Sequence, residues 1–102
     1  MSRITEREVG RAVLRILASC PDGQATVTKL KSELPKYIKL SADDQIGSET
    51  RTNEELWEQQ VRNLKSHSPT SGNIFHEGYV VQVTRGIWQI TDAGKRRLTA
   101  AA

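Results

Sequence analysis

Residues 79–90 read YVVQVTRGIWQI. Two runs rich in β-branched and aromatic residues flank Thr84-Arg85-Gly86, whose glycine allows a tight reversal. The stretch predicts a β-hairpin with Arg85 at its tip. Toward the C-terminus, Thr91 caps a last short helix containing Lys95, Arg96, Arg97 and Leu98, and residues 99–102 are expected to fray. Toward the N-terminus, Ile74-Phe75 is a short apolar pair before Gly78. Ser66 to Asn73, with Pro69 and Gly72, reads as loop.

Three helices precede the hairpin. Thr5 with Glu8 forms a capping box, and Val9, Ala12, Val13, Ile16 and Leu17 then follow one helical face. Pro21-Asp22-Gly23 ends that helix in a turn. Gln24-Ala25-Thr26 is a short extended stretch, and Thr26 caps a second helix carrying Val27, Leu30 and Leu34 up to Pro35. A polar connection covers residues 39–52. Thr52 with Glu55 is a second capping box, opening a third helix through Leu56, Trp57, Gln60, Val61 and Leu64. Its apolar spacing is broken only by Gln60.

The order is helix, short strand, helix, helix, strand, turn, strand. This is an α+β chain of winged-helix topology: a helix-turn-helix variant with a three-helix core, a C-terminal hairpin wing and a short final helix. The domain is expected over residues 1–98. Trp57, Val61 and Leu64 should pack with Val13, Ile16, Leu17 and Leu30, closed by Trp88 or Ile90 from the hairpin.

The formal charge is +3 over 102 residues, unevenly spread. Residues 1–40 carry eight basic and four acidic side chains, residues 41–60 one and six, and residues 61–102 six and two. Any anion-binding surface is therefore built from the two ends of the chain. No apolar run approaches membrane-spanning length and the first residues lack a signal-peptide core, so a cytoplasmic setting is expected.

In a helix-turn-helix the third helix enters the major groove, with its exposed side chains against base edges. The candidates are Asn53, Gln59, Arg62, Asn63 and Ser66, because Leu56, Trp57, Val61 and Leu64 face inward, and Lys65 is a DNA contact that would displace counterions. Asn, Gln and Arg are the side chains that pair bidentately with bases. Glu54, Glu55 and Glu58 oppose deep insertion of the N-terminal half, since carboxylates repel phosphates. Arg85 at the wing tip is placed to meet a phosphate or a flanking groove, and Lys95 and Arg96 to meet phosphates. Arg3, Arg7, Arg11 and Arg15 recur every fourth residue, which is either a phosphate track or a solvated face.

Other chemistries find little support. Cys20 is the single cysteine and reads as a packed thiol. His67 and His76 lack partners at metal-ligand spacing. No phosphate-binding glycine loop, dinucleotide fingerprint, nucleophile triad or Glu-x-Lys nuclease element is present, so neither a cofactor nor catalysis is expected.

The segment Leu56 to Leu98 resembles the N-terminal winged-helix domain of Mrr-type restriction proteins. The resemblance is carried by the helix from Trp57 to Lys65, WEQQVRNLK, and by the hairpin exit from Arg85 to Gly94, RGIWQITDAG. It implies binding to double-stranded DNA in a restriction or defence setting, beside a nuclease domain or protein partner, with no cleavage by this chain alone. The longer loop Ser66 to Gly78 departs from the family layout. The competing reading is a winged helix that binds a protein or forms a homodimer without touching DNA. Leu14, off the main apolar face of the first helix, is its candidate contact.

Overall fold

A computed structural model describes residues 4–40, Gln45 and residues 55–100. Its elements run α1 (Glu6–Ser19), β1 (Gln24–Thr26), α2 (Val27–Glu33), α3 (Leu56–Ser66), β2 (Val80–Thr84), β3 (Ile87–Ile90) and α4 (Asp92–Ala100), with 3₁₀ turns at Pro21–Gly23 and Leu34–Lys36. The strands form one antiparallel sheet in the order β1-β3-β2. The architecture is α+β, and its order and pairing match the winged-helix layout.

The helix starts obey local chemistry. The Thr5 hydroxyl accepts from the Glu8 amide at 3.1 Å and the Glu8 carboxylate accepts from the Thr5 amide at 3.3 Å. These bonds satisfy two donors that a helix start otherwise leaves open. Thr26 caps α2 by accepting from the Lys29 amide at 3.0 Å. The third helix begins later than its sequence indicated. Its first residue is Leu56, and Glu55 rather than Thr52 is the capping position, its amide donating to the Glu58 carboxylate at 3.1 Å. Thr52 lies outside the described residues. Leu56, expected inward, is only half-buried.

The expected core is present. Val13, Ile16, Leu17, Leu30, Trp57, Val61, Leu64, Trp88 and Ile90 belong to a single buried cluster. Each such aliphatic side chain contributes roughly 1.5–3 kcal/mol when fully buried. Gln60, the polar break in the α3 pattern, sits at the core edge and donates to the Ile4 carbonyl at 3.2 Å. It ties the N-terminal segment to α3.

Leu14 corrects the sequence reading. It is 3% exposed, and is a core residue instead of a surface contact. The physical reason is α4, which folds back onto α1. Helix α1 is thus covered on two sides, by α2 and α3 on one and by α4 on the other. Periodicity within α1 shows the first side clearly, whereas the second depends on an element 80 residues away.

The segment between α3 and β2 is a run of turns, as its composition indicates, anchored to the core by two buried residues, Asn73 and Ile74. Asn73, buried, donates through Nδ2 to the Leu64 carbonyl at 2.8 Å and accepts through Oδ1 from the Phe75 and His76 amides at 2.7 and 3.3 Å. Ile74 enters the core, and Phe75 meets Trp88 edge-on with ring centroids 4.8 Å apart. At the other end, Thr91 starts α4. Its hydroxyl accepts from the Gly94 amide at 3.1 Å and donates to the Gly78 carbonyl at 2.5 Å, while its amide donates to the Tyr79 carbonyl at 2.9 Å. Helix α4 continues to Ala100, through Thr99 and into the stretch expected to fray. Among the described residues no helix is long and apolar enough to cross a membrane.

Candidate nucleic-acid interface

The geometry of α3 divides its surface. Trp57, Val61 and Leu64 face the core. Gln59, Arg62, Asn63 and Ser66 stand at i, i+3, i+4 and i+7, so they share one stripe on the opposite side. Ser66 is exposed and the other three are half-buried. The structure thus brings four of the sequence candidates together. Asn53 lies outside the described residues.

Lys65 does not join that stripe. It is exposed on the flank, with its ammonium 5.5 Å from the centre of the Phe75 ring, a cation–π arrangement that turns it toward the segment after α3. Glu58 stands one turn before Arg62, so the acidic end of the helix borders the stripe. Its carboxylate is engaged by the Glu55 amide. Arg62, Asn63 and Ser66 of the stripe therefore belong to the C-terminal half of α3, with Gln59 beside the acidic end.

Arg85 occupies the tip of the wing and is exposed. The turn is built for this. Gly86 adopts φ +80°, which a side-chain-bearing residue rarely takes, and its carbonyl accepts from the Val27 amide at 2.9 Å. The wing turn is fastened to the first residue of α2, which fixes where the Arg85 side chain starts. Near the tip, the ladder between β2 and β3 shifts register between Gln82 and Thr84. Val81 and Val83 are exposed on the same strand, at 46% and 51%.

The remaining basic residues separate. Lys95 and Arg96 are exposed on α4, which packs on α1 and β3. Arg97 turns into a groove beside α1 that also takes Arg7 and Arg11. Arg15 stacks 5.4 Å over the Tyr37 ring. Arg3 lies outside the described residues. The spaced arginines of α1 thus split between a groove and an aromatic contact.

His67 pairs through Nδ1 with Glu6 at 2.7 Å, linking the end of α3 to the start of α1, and His76 pairs with Glu77 at 3.0 Å. The Gly72 amide and then the His76 ring hold the Glu77 carboxyl below its ordinary range. Among the described residues, no group of three His, Cys, Asp or Glu side chains is arranged to hold a metal ion. Cys20 is partly buried against the core.

Two positioning residues were not singled out by the sequence. Asn73 fixes the path from α3 to the wing, and its only prior signal was an asparagine within an otherwise turn-like stretch. Gly94 enters the sequence only as the last residue of the hairpin exit RGIWQITDAG, which carries no sign of its packing role.

A comparison with protein-family models matches residues 7–100 to the Mrr N-terminal domain. The match covers nearly the whole chain, so the chain belongs to this family, a group of restriction-system-related domains. Comparisons with curated proteins and with solved structures gave no match.

Proposed function

We propose that this domain binds double-stranded DNA within a restriction or defence system. Helix α3 enters the major groove by its C-terminal half, and Arg85 rests on flanking DNA. The observation that carries this reading is the Gln59, Arg62, Asn63 and Ser66 stripe, set opposite the core on the third helix of a winged-helix layout. These side chains are of the types that read base edges. Lys65 on the flank of α3 and Arg85 on the wing add cationic contacts beside it, and Lys95 and Arg96 would meet phosphates from α4, on the other side of α1. The domain supplies binding, and cleavage belongs to a nuclease domain or partner acting with it.

The reading is tested by titrating random-sequence duplex at two salt concentrations. Several phosphate contacts release counterions, so affinity falls on the order of a thousandfold between low and physiological salt. Association that is absent at low salt, or indifferent to salt, counts against DNA as the ligand. The homodimer alternative loses the residue that motivated it, because Leu14 is inside the core.

A further inference from the structure

Helix α3 packs its inner face on α1, so its outer stripe points away from α1. Elsewhere on α1, a groove of about 650 Å³ runs between α1, α4 and the segment 70–79. Its floor is apolar. Leu14 and Ile74 lie at the bottom, and Tyr79 and Leu98, only half-buried, offer accessible apolar surface. Arg7 and Arg11 stand on the α1 wall and Arg97 on the α4 wall.

The charges around this groove are unequal in their engagement. Each carboxylate has a partner inside the chain: Glu6 holds His67, Glu8 closes the Thr5 capping box, and Glu77 takes the Gly72 amide and His76. Arg7, Arg11 and Arg97 are all exposed, and among the described residues none lies within ion-pair distance of a carboxylate. Three guanidinium groups around one apolar-floored groove attract carboxylates, which they can bind bidentately.

We propose that this groove docks a short acidic amphipathic segment of a partner protein. Its apolar side chains rest on Tyr79 and Leu98, and its carboxylates meet Arg7, Arg11 and Arg97. This is the groove mode of peptide recognition, with apolar anchors at helical spacing. A phosphate strand is the poorer occupant, because it gains nothing from the apolar floor, whereas the Glu6, Glu8 and Glu77 carboxylates act on either anion alike. A second copy docking by the same groove is also disfavoured, since a symmetric contact sets arginine against arginine.

The test uses fluorescein-labelled synthetic peptides of about twelve residues, with Leu at i, i+3, i+4 and i+7. One peptide carries Glu at the other positions and its counterpart carries Lys. Anisotropy with the full chain should show saturable binding of the Glu peptide alone. Arg11→Glu and Arg97→Glu should each weaken it at least roughly tenfold, a difference of about 1.4 kcal/mol, with unchanged thermal midpoints. The two substitutions sit on different helices, so misfolding of one leaves the other informative. Absence of saturable binding, equal binding of the Lys peptide, or insensitivity to both substitutions overturns the proposal. Displacement of the peptide by random duplex, with loss of duplex affinity in Arg11→Glu, assigns the groove to nucleic acid instead. Self-association of the chain that Arg97→Glu abolishes assigns it to a second copy.

Discussion

Gly94 meets Tyr79 backbone to backbone: a Cβ at position 94 would collide with the Tyr79 carbonyl oxygen and stand 2.7 Å from Cγ1 of Ile90. That same carbonyl accepts from the Thr91 amide. The Thr91-to-Gly94 run is therefore a joint. Threonine caps α4 and grips the Gly78–Tyr79 backbone that leads into β2, and glycine lets the first turn of α4 lie against it.

Gly94→Ala is expected to force the joint apart. Overpacking of this kind typically costs about 1–3 kcal/mol. For a domain of this size each kcal/mol lowers the thermal midpoint by roughly 4–8 °C. A calorimetric scan of Gly94→Ala that matches the wild type would show that α4 can shift without loss, and that the close approach is not needed.

Asn73→Ala should also destabilise, for a polar reason. It removes three hydrogen bonds and leaves the Leu64 carbonyl without this donor in a buried setting. An unsatisfied buried group costs about 1–3 kcal/mol. Asn73→Asp keeps the acceptor for Phe75 and His76 but not the donor to Leu64, so denaturant midpoints should rank wild type above both variants. Equal midpoints for all three would remove Asn73 from its positioning role.

The Glu77 clasp gives a pH-dependent local signature. Its carboxyl is held below the ordinary value of 4.5, first by the Gly72 amide and then by His76. A depressed carboxylate contributes above its ordinary value, and that contribution fades as pH falls through the lowered one. Following the Gly72 amide by NMR should therefore show a transition below pH 4.5. Glu77→Gln should abolish it. A midpoint at or above the ordinary value contradicts the clasp.

Much of this architecture was legible in the chain itself. The apolar positions of α1 and α3, the Thr5 and Thr26 caps, and the hairpin around Gly86 follow from patterns a few residues long, and each reappears in the fold. The Gln59, Arg62, Asn63 and Ser66 stripe followed from the same periodicity. What could not be read depends on distant parts of the chain. Leu14 is buried because α4 returns to α1. Residues 67–79 are a run of backbone turns, as the composition indicates, but the Asn73 side chain that ties them to the end of α3 could not be read from it. Lys65 leaves the stripe for a ring ten residues on. The start of α3 moved by a turn because a glutamate, with Glu58 behind it, serves as its capping residue.

The α3 stripe and the wing tip should differ in what they read, and this difference tests the central claim most directly. The measurement is the affinity of Arg62→Ala and Arg85→Ala for a selected site and for random duplex, at one salt concentration. Arg62→Ala is expected to lose about 1–3 kcal/mol on the selected site and less on random duplex, as a base contact does. Arg85→Ala should weaken both about equally, as a phosphate contact does. If neither variant loses affinity on either duplex, α3 does not enter the groove and the DNA-binding account of this domain is wrong.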